Sequence, residues 1–140
     1  MPKSVHDKAV IVDSLNVSNW GPPVFKSIHK GGVTAINATI AVWDNFRETM
    51  DHVGQWYQWF DKHADIMMPV RRTDDILAAK RTGKLGVILG FQNASPLEDR
   101  YEFVRVFKQL GVGIMQITYN NQNMVGSGCY ESRDSGLSDF

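Results

Sequence analysis

Four short apolar runs that alternate with segments of helical periodicity constrain this chain more than any other feature. The runs are Ala9-Val-Ile-Val-Asp13, residues 32–42, Leu85-Gly-Val-Ile-Leu-Gly-Phe91 and Gly113-Ile-Met-Gln-Ile-Thr-Tyr119. They are apolar without a polar alternation, the pattern of parallel strands covered on both faces. Helical signals fill the gaps. From Asp44, read as an N-cap, apolar residues recur at Phe46, Met50, Val53, Tyr57, Phe60 and Ala64, and Trp56 and Trp59 widen the stripe. An aromatic face of this kind packs a core. A second helix runs from Thr73 to the C-cap Gly83, with Asp74 and Asp75 at the positive end of its dipole. A third is bounded by Ser95-Pro-Leu-Glu98, which has the spacing of a capping box with proline at the first helical position, and by Gly111 after Leu110.

Strand and helix in alternation, joined by turns as short as Gly111-Val-Gly113, predict an α/β fold with a parallel sheet, either doubly wound or a (β/α)8 barrel. About four parallel strands with about three helices make the N-terminal half of a TIM-like barrel, and a complete one takes about 250 residues. With 140 residues, the expectation is a single partial domain over 1–140 that is truncated at its C-terminus. Such a half-barrel exposes its edge strands and its inner apolar layer, so alone it should aggregate, pair with another copy or fold poorly.

Charge and cysteine usage narrow the function. Fifteen Lys and Arg balance fifteen Asp and Glu with no basic block, which argues against a nucleic-acid or anionic-membrane surface and for a small-molecule partner. The stretch Arg71, Arg72, Lys80, Arg81 and Lys84 reads as a solvated face. A single cysteine, Cys129, excludes an intrachain disulfide framework and multi-cysteine zinc patterns, and with no histidine beside it reads as an inert thiol. No window is apolar for long enough to span a membrane, and the N-terminus has no apolar signal region, so the expected location is cytoplasmic. The N-x-S/T sequons at Asn16, Asn37 and Asn93 then carry no weight.

In parallel α/β folds the reactive groups lie where strands end. Here those positions are rich in amides and poor in charge: Asn16, Gln92, Asn93, Asn120 and Asn121 stand at three strand ends that converge on one mouth, with Tyr119 beside them. Neutral donors and acceptors suit a polar, uncharged or zwitterionic ligand, and asparagines equally serve loop turns. Asp13 either orients the pocket or holds loop amides. His6, His29, His52 and His63 stand at no predicted strand end and in no metal-binding pair, and Gly126-Ser-Gly128 lacks the continuation of a phosphate loop.

Ile11-Val-Asp13-Ser-Leu-Asn16, Gly86-Val-Ile-Leu-Gly-Phe-Gln92, the segment from Leu110 to Asn121 and the final Ser135-Gly-Leu-Ser stand in the order and at the spacing of blocks in a known family. The chain resembles the N-terminal part of the membrane (renal) dipeptidase family, peptidase family M19, along essentially its whole length. The resemblance implies a (β/α)8 barrel that hydrolyses dipeptides with two zinc ions, usually as a homodimer. It further implies a His-x-Asp metal pair from strand one, a bridging Glu at the end of strand three and a substrate-contacting His at the end of strand four.

At those positions this chain has Leu15, Val17, Gln92 and Tyr119. Leu15 and Val17 have no lone pair to offer a metal, and Gln92 keeps the shape of the bridging residue without its charge. Tyr119 offers a phenol that donates one hydrogen bond. All four changes fall at the site and none in the capping or glycine framework, which favours a rebuilt pocket over random decay. Two functions follow as expectations: a dipeptidase-like hydrolase acting on a dipeptide-like substrate, or a non-catalytic small-molecule-binding barrel, with an inactive fragment as the remaining possibility.

Overall fold

The computed structural model describes residues 4–140. Its elements follow the chain as α1 (Val5–Lys8), β1 (Val12–Asn16), α2 (Pro22–Lys30), β2 (Ala35–Ala41), α3 (Phe46–Lys62), β3 (Met67–Pro69), α4 (Thr73–Thr82), β4 (Leu85–Phe91), a 3-10 turn (Ser95–Leu97), α5 (Phe103–Gln109) and β5 (Val112–Met115). Every strand pairing is parallel. β1 lies beside β2 and β2 beside β4, while the far edge of β4 is shared: β3 pairs along Leu85–Val87 and β5 along Leu89–Phe91. The α/β parallel architecture is that of a partial TIM-like barrel, with β1, β2, β4 and β5 in the order of consecutive barrel strands.

Burial follows from this order. β2 is buried throughout, because it has a strand on each side, helices on its outer face and Gly90, Gln92 and the β1 backbone against its inner one. β1 and β5, each paired on one edge among the described residues, leave Val12, Leu15 and Ile114 exposed, as an open barrel wall requires. The main core fills the layer between the sheet and the helices, where Ile36, Ala38 and Ile40 of β2 and Val87, Leu89 and Phe91 of β4 meet Phe25, Val53, Trp56, Phe60 and Phe107. Trp56 is 1% exposed and contacts the rings of Trp20, Phe25, Trp59 and Phe60. The aromatic stripe is core, as its period predicts, and truncating such a ring costs about 3–5 kcal/mol. Ala64, the last member of the predicted stripe, lies past the end of α3 and is exposed.

Several elements depart from the sequence expectation. Strand one is shifted from 9–13 to Val12–Asn16, and its register with β2 slips between Asp13 and Asn16. The carbonyl of Ile11 already accepts from the amides of Thr34 and Ala35, so pairing starts near the middle of the apolar run. Strand four ends at Met115 instead of Tyr119, because after the bond from the Gln116 amide to the Phe91 carbonyl the chain turns across the mouth. β3 is three residues long, too short to show a period. The turn-rich stretch before Pro23 opens a full helix, α2, with proline in its first turn and Phe25 fully buried.

Two predicted caps are reassigned. Asn45, not Asp44, caps α3: its Oδ1 accepts from the Glu48 amide, and the Glu48 carboxylate accepts from the Asn45 amide. Asp44 instead accepts from the Val42 amide. Ser95 and Glu98 form no capping box. The chain makes a 3-10 turn, Glu98 adopts φ +51°, and α5 begins only at Phe103. Glu98 serves the other helix, its Oε1 accepting from the Phe46 amide at 3.2 Å. The glycine stops stand as predicted, with Gly83 at φ +67° after α4 and Gly111 at φ +91° after Leu110.

Candidate functional site

The strand-end face carries two different surfaces. One is a polar inner seam. From β2, Thr39 presents its hydroxyl to Gln92, which follows β4 and is 5% exposed; Gln92 Nε2 donates to Thr39 Oγ1 at 3.1 Å. Two residues earlier Asn37, 3% exposed, donates through Nδ2 to the Ser14 carbonyl of β1 at 2.9 Å, where the register slips. Its Oδ1 has no partner and lies over Gly90, where any side chain would collide with it. Sequence reasoning noticed Asn37 only as a sequon. Its position two residues from Thr39 in a buried strand was the available sign that both point to the inner face.

The second surface is the open lip of β1. Leu15 and Val17 are 49% and 64% exposed, apolar side chains facing solvent where the resemblance implies metal ligands. The Asp13 carboxylate bonds within β1 itself, accepting from the Leu15 amide at 3.2 Å and from Asn16 Nδ2 at 2.8 Å. These bonds engage the Asn16 side chain.

The loop after β5 folds back over the end of β4. Asn93, buried, accepts at Oδ1 from the Ser95 amide and from Asn123 Nδ2. Asn123 in turn donates to the Ile117 carbonyl and accepts from the Val125 and Gly126 amides, so this pair ties the two loops together. Asn123 was missed because a lone asparagine in a loop carries no pattern. Asn120 is buried with its Oδ1 unpartnered, whereas Tyr119 and Asn121 are exposed. The Tyr119 and Asn120 carbonyls accept from the Cys129 and Tyr130 amides, and Cys129 itself is exposed. Thus Gln92 meets Thr39, Asn16 meets Asp13 and Asn93 meets Asn123; no hydrogen bond joins the predicted residues to one another among the described contacts.

The histidines lie elsewhere. A ring nitrogen of His6, His29 and His52 bonds a backbone carbonyl, of Gly31, Gly83 and Ile40 respectively, and His63 packs edge-on against Phe25. Among the described residues no three His, Cys, Asp or Glu side chains approach closely enough to hold a metal ion. Leu15 and Val17 carry no donor atom, and Gln92 gives its nitrogen to Thr39. A zinc pair therefore does not fit the side chains present at these positions.

Comparison with known proteins agrees with this architecture. The family model for membrane dipeptidase (peptidase family M19) matches residues 13–140. Among solved structures, an amidohydrolase from Pseudomonas aeruginosa superposes with a TM-score of 0.93 at 46% identity, over 96% of this chain and 41% of that one. The probable dipeptidase PvdM from Pseudomonas aeruginosa shares the fold, with a TM-score of 0.77 at 15% identity over 96% of this chain and 42% of its own. No curated protein matches. The chain thus spans about two fifths of the length of these solved relatives. No helix among the described residues is long and apolar enough to cross a membrane. With the family model matched from β1 to the last residue and the strand order that of a partial barrel, the chain belongs to the membrane dipeptidase family, peptidase family M19.

Proposed function

We propose that this chain is the front half of a dipeptidase-like hydrolase and supplies the part of the mouth that holds a small amide substrate. The observation that carries the reading is the 46% identity with a solved amidohydrolase over 96% of this chain. The inner seam is polar and rigid. Gln92 and Asn37 are buried carboxamides held in fixed orientation by Thr39 and by the Ser14 carbonyl. Leu15 and Val17 add an apolar lip that fits a side chain of a dipeptide-like ligand. The reaction needs groups beyond this segment, since none of these side chains can act as a nucleophile or activate water.

The test is a panel of dipeptides and related amides given to the protein as its source produces it, with and without added zinc. Turnover of at least one member is the expected result; no turnover of any member overturns the reading. The replaced positions Leu15, Val17 and Gln92 favour one other reading, a barrel that binds an amino-acid-like ligand without hydrolysing it. Thermal stabilisation by such a ligand with no product formed distinguishes it.

A further inference from the structure

We propose that the segment from Tyr119 to Ser138 is a self-contained flap at the mouth, hinged at residues 116–118 and docked on the barrel by one carboxamide pair, Asn93 with Asn123. Tyr119 and Asn120 travel with the flap, whereas Gln92 and Thr39 belong to the barrel wall. The device does not depend on the function proposed above.

The flap closes on itself. The Cys129 and Tyr130 amides donate to the Tyr119 and Asn120 carbonyls at 2.8 Å each, and the Glu131 carboxylate accepts from the Gln122 amide at 2.7 Å. A second crossing joins the Ser127 amide to the Gly136 carbonyl and the Ser138 amide to the Val125 carbonyl, around an antiparallel bridge between Gly126 and Leu137. At Gly128 the two passes of the chain lie so close that a β-carbon would stand 2.3 Å from the Asn120 carbonyl oxygen.

Its attachment is slight by comparison. Among the described hydrogen bonds, residues 119–138 reach the barrel only through Asn123 Nδ2, which donates to Asn93 Oδ1, and the hinge adds the Ala94 amide, which donates to the Ile117 carbonyl at 3.2 Å. Asn123 Nδ2 also holds that Ile117 carbonyl at 2.8 Å, while Asn123 Oδ1 serves the flap itself by accepting from the Val125 and Gly126 amides. Within residues 116–140 only Asn120 and Gly126 are buried, and Val125 is the one apolar side chain of the flap packed against the core. Met124, Tyr130 and Leu137 are exposed. A segment with many internal bonds and few buried apolar contacts to its surroundings opens as a unit at low free energy. It also has room to move: a cleft of about 530 Å³ separates Gln122, Asn123 and Met124 of the flap from Ala94, Ser95 and Glu98 of the barrel.

Amide hydrogen exchange of the 140-residue chain, resolved residue by residue by NMR, tests the proposal. Asn123→Asp keeps the oxygen that the Val125 and Gly126 amides use, removes both bonds from Nδ2 and sets a carboxylate against Asn93 Oδ1. The Ala94 amide should then exchange about tenfold or more faster, while the Cys129, Tyr130 and Ser138 amides keep their protection. Asn93→Asp keeps the oxygen that the Ser95 amide and Asn123 Nδ2 share, and should leave Ala94 as it was. Unchanged exchange at Ala94 in Asn123→Asp, loss of protection at Cys129, Tyr130 and Ser138 together with it, or equal effects of the two substitutions overturns the proposal.

Discussion

The carboxamide of Asn37 lies directly over the α-carbon of Gly90, so that two neighbouring strands meet on the inner face through a side chain on one and the lack of one on the other. Asn37 cannot retreat, since its Nδ2 holds the Ser14 carbonyl of β1. Gly90→Ala should therefore destabilise the protein by about 1–3 kcal/mol through overpacking. Asn37→Ala alone should cost a similar amount by freeing the Ser14 carbonyl. The double variant should lose less than the sum of the two, and urea denaturation of all four proteins gives the coupling. Strict additivity would remove the contact as the reason for glycine.

Glu98 combines a cost and a benefit. Its φ of +51° is unfavourable for a side-chain-bearing residue, while its carboxylate caps the first turn of α3 at the Phe46 amide. Glu98→Ala loses the cap and keeps the strain, so it should cost about 1 kcal/mol. Glu98→Gly loses the same cap but relieves the backbone. The glycine variant should melt above the alanine variant in thermal denaturation, and the reverse order would contradict this account.

Asp75 sets an acid limit on α4. Its carboxylate accepts from the Arg71 and Arg72 amides at 2.8 and 2.9 Å, and these two bonds hold its pKa below the ordinary carboxylate value. Folding then favours the ionised form. The contribution is fully present above the ordinary value near 3.8 and is lost as pH falls through the lowered one. Asp75→Asn should flatten the acid limb of the stability curve and leave its slope between pH 5 and pH 8 unchanged. This is read by thermal melts across pH.

The replaced positions at the mouth permit a gain-of-binding experiment. Leu15→His, Val17→Asp and Gln92→Glu together give the strand ends three donor side chains of the types zinc accepts. Metal analysis after dialysis should show zinc retained by the triple variant and none by the parent chain. If neither retains it, the strand ends do not converge as the sheet order implies.

Sequence periodicity made the framework legible wherever an element was long enough to repeat. The stripe from Phe46 to Phe60, the apolar run at Leu85–Phe91 and the glycine stops at Gly83 and Gly111 are each visible in the order of residues. β3 and the 3-10 turn are three residues each and repeat nothing. Ser95 and Glu98 had the spacing of a capping box, yet Glu98 bonds Phe46, 52 residues away in the chain. No local pattern carries a partner at that distance.

The candidate site divides in the same way. That the mouth is neutral and amide-rich, and that Leu15 and Val17 cannot hold a metal, follows from residue identity alone, because donor atoms are a property of the side chain. Which amides act on which partners was decided by packing. Asn93 is spent on Ser95 and Asn123, Asn16 on Asp13, while Asn37, unremarkable in sequence, keeps a buried acceptor open. A carboxamide's role depends on the donors and acceptors that folding brings within about 3 Å of it, and those come from other strands and loops. Sequence thus determined the parallel α/β framework and the chemical character of the mouth; only the tertiary structure decided which polar atoms remain free there.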